Sequence, residues 1–226
     1  MAGSDDNLES LLDGLSADST DPTDPAEPVL LCIDAPLGWP LELGTCLRTH
    51  RAGEGIGIAA NDLFRRETDR DVRRRCGKTP LDVGADRIAR TALRAVQLLQ
   101  ALRVRTGLTI DLPLTLEGIN APGVHALETY PAGYLAARGI NARGYRDPAA
   151  RELRLRLLDD ILRAFKALPS SPKSLELRPQ PAEFAPRADL LDALLCVLAG
   201  HRAATGGAPA PGDVAGAARE GWIWCG

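Results

Sequence analysis

The sequence predicts an α/β fold, a mixed or largely parallel sheet flanked by helices. Three observations lead there. Val29-Leu30-Leu31-Cys32-Ile33 is an unbroken apolar run of strand length, as expected of a strand buried in a parallel sheet. Val124 to Tyr130 reads as a second strand. Between and after these runs lie long stretches of helical period, and strands alternating with helices imply crossover connections.

The 226 residues suffice for one large domain, and with 45% apolar and 25% charged residues a true core is expected. A formal net charge of -3 argues against a chain coated in basic charge for indiscriminate nucleic-acid binding, but leaves room for a local basic patch. The five cysteines include no C-x-x-C spacing, and Cys32 and Cys196 sit in apolar runs. This pattern predicts a reducing, cytoplasmic setting without a disulfide framework. The three histidines are far apart, which gives little support to zinc. The acidic start has no apolar core of a signal peptide, and no run is long enough to span a bilayer, so no membrane role is expected.

Along the chain, Leu8, Leu11, Leu12 and Leu15 have the spacing of a short amphipathic helix. Ser16 to Pro28 follows as a loop, because three prolines and four acidic residues suit neither a ladder nor a core. Residues 1–28 thus read as an N-terminal appendage, and 29–226 as the α/β domain with a helical insertion at about 63–105. Asp34-Ala35-Pro36-Leu37-Gly38-Trp39-Pro40 stops the first strand. Leu41 to Asn61 is irregular; its Gly53-Glu54-Gly55-Ile56-Gly57 follows no strand and precedes no GK[ST], so it reads as a loop rather than a phosphate cradle.

Leu63 to Cys76 is helical in character, with Arg66, Arg70, Arg73 and Arg74 able to share a face. That face is either solvated, with Glu67 and Asp71 pairing locally, or an arginine clamp for an anionic substrate. Ile88, Ala92, Ala95, Val96, Leu99 and Leu102 form a clean helical stripe. Thr109 to Leu112 reads as a short edge strand. Pro131 suits the first turn of a helix over Ala132 to Arg138. Asp147-Pro148 opens a long helix carrying Leu153, Leu157, Leu158, Ile161, Leu162, Phe165 and Leu168. Pro169 to Pro186, with five prolines, is loop-like. Asp189 to Thr205 is an apolar helix, and Gly221-Trp222-Ile223-Trp224 a terminal strand or apolar tail.

Three acidic positions stand out. Asp34 and Glu128 end the two strands, and Asp192 is the one charge in the run Leu190 to Ala199. Each has an ordinary explanation. Asp34 could accept backbone N–H groups in its turn, Glu128 could pair with Arg146 or Arg151, and Asp189 and Asp192 could serve as cap and dipole partner of their helix. Taken jointly, carboxylates at adjacent strand ends beside one at a helix start form an oxygen-only set suited to Mg²⁺ or Mn²⁺. Such ions support phosphodiester hydrolysis.

The ordered blocks Ile33-Asp34-Ala35-Pro36-Leu37-Gly38-Trp39-Pro40, Phe64 to Arg70, Leu127-Glu128-Thr129-Tyr130-Pro131-Ala132, Tyr145-Arg146, Leu191-Asp192-Ala193-Leu194 and Glu220 to Trp224 resemble the domain-of-unknown-function family 429, predicted RNase H-like nucleases. The resemblance implies an RNase H-like sheet. It also implies catalytic, metal-binding Asp34, Glu128 and Asp192, with Asp189 as a helper ligand. Arg66, Asp69 and Arg146 would lie nearby, with Arg66, Arg70 and Arg146 meeting substrate phosphates. The expected activity is metal-dependent hydrolysis of nucleic acid; the alternative is a non-catalytic, degenerate RNase H-like binding or scaffold domain. The resemblance further implies a three-strand meander carrying its own Asp ahead of Val29. The sequence shows only a helix and an acidic loop there, so either the chain begins late or Thr109 to Leu112, with Asp111, stands in. Without such a strand, the edge at Val29 to Ile33 is open to a second copy of the chain.

Overall fold

The computed structural model describes residues 27–166 and 184–226. The anticipated helix at Leu8 to Leu15, most of the Ser16 to Pro28 loop and most of the Pro169 to Pro186 loop lie outside the described residues. The sheet has three parallel strands, β1 (Pro28–Ile33), β2 (Ile110–Asp111) and β3 (Gly123–Glu128), in the order β1-β3-β2. Around it lie α1 (Leu41–Leu47), α2 (Ala60–Phe64), α3 (Glu67–Cys76), α4 (Ile88–Thr106), α5 (Leu116–Ile119), α6 (Pro131–Ala137), α7 (Arg151–Lys166), α8 (Ala188–Ala204) and α9 (Val214–Glu220). This is the α/β architecture that the alternation of apolar runs predicts.

The register places Ile33 opposite Glu128, so the two strands end side by side and Asp34 follows one residue beyond. β3 is the central strand, buried from Val124 to Glu128. β1, expected to be covered on both faces, is only half-buried and has a ladder on one side among the described residues. β2 joins the far side of β3 and therefore does not stand in beside β1. The tail makes a single parallel bridge, Ile223 to Glu128, with the Trp224 N–H donating to the Glu128 carbonyl at 2.8 Å.

Core packing follows the helical stripes. Ala95, Leu99 and Leu102 of α4 cover one face of the sheet with Ile110, Val124 and Ala126. Leu191, Leu194, Leu195 and Leu198 of α8 pack with Leu157, Leu158 and Ile161 of α7. Gly200 brings α8 against the Cys32 sulfur, where a Cβ would collide. Gly38 is likewise required by close approach, since a Cβ there would lie 2.5 Å from the Glu220 carbonyl oxygen.

Two local expectations are corrected. The stretch after Pro40 is not wholly irregular, for Leu41–Leu47 is helical. Leu63 to Cys76 is not one helix: Arg65 and Arg66 have extended ψ angles of 135° and 163°, which separates α2 from α3. The break has a local cause. The Asp69 carboxylate accepts the Arg66 N–H at 2.9 Å and caps α3, while Gly77 in the left-handed region ends it.

Candidate functional site

The break before α3 turns Arg66 inward. Its side chain is 1% exposed and lies between two carboxylates. Nε and Nη2 donate to Asp69 at 3.1 and 2.8 Å, and Nη1 and Nη2 donate to Glu128 at 2.8 and 2.7 Å. Nη1 also reaches the Glu220 carbonyl at 3.2 Å. The fork is filled, so Arg66 has no N–H left for a substrate phosphate. Burial works against its charge, and Glu128 and Asp69 more than offset that, so its pKa is raised.

Glu128 is equally committed, because its Oε2 also accepts the Leu37 N–H at 3.0 Å. The ordinary reading of a buried pair holds, with Arg66 as the partner rather than Arg146 or Arg151. Glu220 extends the framework, accepting the Leu41 N–H and the Glu67 N–H, each at 2.8 Å, at the starts of α1 and α3.

A second, more open network lies at the end of β1. Arg146 Nη2 is 3.0 Å from Asp192 Oδ2 and 3.7 Å from Asp34 Oδ2. The Tyr145 hydroxyl donates to Asp192, and Arg146 Nε donates to that hydroxyl at 3.1 Å. Asp192 lies in the second turn of α8, too deep to be the helix's first-turn dipole partner, and points to the Tyr145-Arg146 pair. Arg146 is 53% exposed and Asp34 38% exposed at the side chain. Asp34 and Arg146 line a cleft of about 330 Å³ with Thr79, Glu128, Tyr130 and Ile223. A larger cavity of about 560 Å³ runs along the open edge of β1 between Leu98 of α4 and Cys196 of α8, with Asp34 and Asp192 at one end.

Burial pushes the Asp34 carboxyl up to about 6; Arg146 opposes the rise, and the neighbouring Asp192 and Glu128 charges add to it. Burial also raises Asp192, against its hydrogen bond from Tyr145 and the charge of Arg146. Desolvation and the bond to Asp192 push the Tyr145 phenol above its usual range.

Of the remaining positions singled out by sequence, Asp189 lines the larger cavity with Asp34 and Asp192, and Arg70 lies elsewhere. Asp189 is exposed and paired with Arg187 at 2.6 Å, which holds its carboxyl low; Arg187, not Asp189, precedes α8 as its cap residue. Arg70 pairs with Glu67 at 3.0 Å on the outer face of α3 and does not line the Asp34 cleft. Sequence reading missed Arg154, which is 1% exposed. It donates to the carbonyls of Ala185, Tyr145, Asp147 and Pro148 at 2.7, 2.8, 2.7 and 3.1 Å, and so fixes the loop that presents Arg146. The available signal was an arginine on the apolar side of α7, one turn before Leu157 and Leu158.

Among the described residues, no three His, Cys, Asp or Glu side chains are placed to share one metal ion. The three-carboxylate set is therefore not assembled, since Glu128 belongs to Arg66. Asp34 and Asp192 remain as hard oxygen donors around one guanidinium. A magnesium-like ion that keeps most of its waters asks for no more than one or two protein carboxylates, and this pair fits that demand.

The fold and the acidic pair define an α/β protein with a carboxylate–arginine centre at the carboxyl end of a parallel sheet, where ligands collect in such folds. Residues 15–215 match the family described as "Protein of unknown function (DUF429)", and the chain belongs to that family. No curated protein and no solved structure matches the chain.

Proposed function

We propose that this chain is a metal-dependent phosphodiester hydrolase acting on nucleic acid, with Asp34 and Asp192 as its metal-holding carboxylates and Arg146 as its phosphate-binding residue. The observation that carries the reading is the convergence of Asp34 and Asp192 on Arg146 at the mouth of a cleft. Mg²⁺ or Mn²⁺, when bound, supplies Lewis acidity toward the phosphodiester.

The chain's own residues divide the remaining tasks. Arg146 is half-exposed and oriented by Tyr145, so it can exchange a carboxylate partner for a phosphate oxygen. Arg154 holds the loop beneath it. The buried Asp69–Arg66–Glu128 cluster positions Leu37, and with it the turn that follows Asp34, through the Glu128 carboxylate. Glu128 thus serves as a positioning residue in this account, Arg66 as its clamp and Asp189 as a bystander.

Incubation of the chain with single-stranded, duplex, hybrid and branched nucleic acids in Mg²⁺ or Mn²⁺ tests the proposal. Cleavage lost in Asp34→Asn and Asp192→Asn supports it; no cleavage of any substrate sinks it. One observation favours the non-catalytic alternative: both Glu128 oxygens are already satisfied by protein donors. Nucleic-acid binding that is unaffected by divalent ions and unaccompanied by cleavage is the outcome that reading requires.

A further inference from the structure

Cys76 and Cys225 lie outside the acidic centre and take no part in it. Cys76 is the last residue of α3, and Cys225 follows the tail segment that bridges to β3. Their sulfurs are 3.6 Å apart although the residues are 149 positions apart in the chain. Cys76 is partly exposed and Cys225 is buried. The neighbouring Arg75 guanidinium donates to the Cys225 carbonyl and places a positive charge beside the pair.

We propose that Cys76 and Cys225 form a redox-active dithiol, a modification site that takes a low-molecular-weight disulfide as its oxidant and staples α3 to the C-terminal segment. A disulfide requires about 2.05 Å between sulfurs, so the two must approach by roughly 1.5 Å, within the reach of a side-chain rotation at Cys76. The accessible Cys76 thiolate attacks one sulfur of oxidised glutathione, breaks its S–S bond and releases one glutathione thiolate. Cys225 then gives its proton to solvent, and its sulfur attacks the Cys76 sulfur of the mixed disulfide, releasing the second glutathione. Two protein thiols are oxidised and one glutathione disulfide is reduced to two thiols.

The order of events follows from the surroundings. Burial and the adjacent Cys76 raise the Cys225 thiol, with Arg75 acting in the opposite sense, which makes Cys225 the slower partner for external attack and suits it to the resolving step. The consequence is structural. The stapled segment carries Ile223, which bridges to Glu128 and whose N–H donates to Thr68 Oγ1 of α3 at 2.8 Å. Oxidation therefore ties α3 covalently to the C-terminal segment, which is hydrogen-bonded to the strand end that bears Glu128.

The test uses the full chain in buffers with stepped ratios of reduced to oxidised glutathione, followed by alkylation, peptide mapping and thermal unfolding. The expected result is a Cys76–Cys225 cross-linked peptide, loss of two alkylatable thiols from the five in the sequence, and a Tm rise of about 5–10 °C. Cys76→Ser, which alters only the partly exposed partner, removes both the cross-link and the Tm response, and Cys76→Ala does the same. Retention of all five thiols in oxidising buffer overturns the proposal. So does a cross-link that joins other cysteines, or a Cys76–Cys225 link that leaves Tm unchanged or lowers it.

Discussion

Replacing Arg66 by Met removes the cation held between Asp69 and Glu128, whose side chains are 0% and 3% exposed. Met approximates the stem of Arg but supplies none of the donors. Five N–H···O contacts are lost, four of them to carboxylate oxygens. Asp69 keeps the Arg66 backbone N–H and Glu128 keeps the Leu37 N–H, so each retains one donor and no charge partner. Breaking a buried ion pair by removing one member costs about 3–5 kcal/mol. With two carboxylates stranded, the upper part of that range applies, about 4–5 kcal/mol. For a chain of this size that corresponds to a Tm fall of roughly 10–15 °C. Urea unfolding followed by circular dichroism at pH 7 measures it. Adding Glu128→Gln to Arg66→Met recovers part of the loss, because one of the stranded charges is then gone. A cost below about 1 kcal/mol for Arg66→Met, or no recovery in the double variant, refutes the view that this cluster is a closed ionic framework.

Asp34 yields a prediction with a pH signature. Its native carboxyl titrates near 6 against about 3.9 in an unfolded chain, so the native state holds this proton more tightly and loses stability as pH rises between those values. The full shift is worth about 3 kcal/mol, and the 38% exposure of the side chain reduces it to about 1 kcal/mol. Asp34→Asn is therefore more stable than the wild type by about 1 kcal/mol at pH 7–8 and equal to it near pH 4, as read by Tm across pH; destabilisation at pH 8 contradicts this. Arg154→Met strips the donors from four loop carbonyls and is expected to cost about 3 kcal/mol, with cleavage reduced about 10- to 100-fold at temperatures where the variant stays folded. Unchanged cleavage there removes Arg154 as a positioning residue. The expectation of a second copy at the open β1 edge is checked by sedimentation: Leu30→Lys in that half-buried strand shifts the chain toward monomer, and concentration-independent monomer in the wild type rejects it.

Much of the frame was legible because it rests on unbroken apolar periodicity. The stripe Ala92, Ala95, Leu99 and Leu102 is the buried face of α4, and Val124 to Leu127 is the central strand. The side-by-side ends of β1 and β3 also followed from two strands joined by helices. What could not be read was which carboxylate meets which guanidinium. Arg66 reads as one of four arginines on a helical face, yet the Asp69 cap makes it the residue just before α3, which begins at Glu67, and its side chain turns inward. Glu128 was correctly placed at the strand end, but its partner lies 62 residues away and no spacing rule links them. Asp192 shares one turn with Asp189, and only the crossing of α8 past Tyr145 separates an inward carboxylate from an exposed one. The half-buried state of β1 was illegible for a different reason: an apolar run is the same whether one or both edges are paired.

The most direct measurement of the central claim is Mn²⁺ binding, followed by electron paramagnetic resonance on the wild type, Asp34→Asn, Asp192→Asn and Asp189→Asn. Saturable binding is expected in the wild type and in Asp189→Asn, and its loss in Asp34→Asn and Asp192→Asn while circular dichroism shows all four folded. Binding that survives in Asp34→Asn and Asp192→Asn, or that disappears only in Asp189→Asn, contradicts the assignment of the acidic pair as the metal-holding centre.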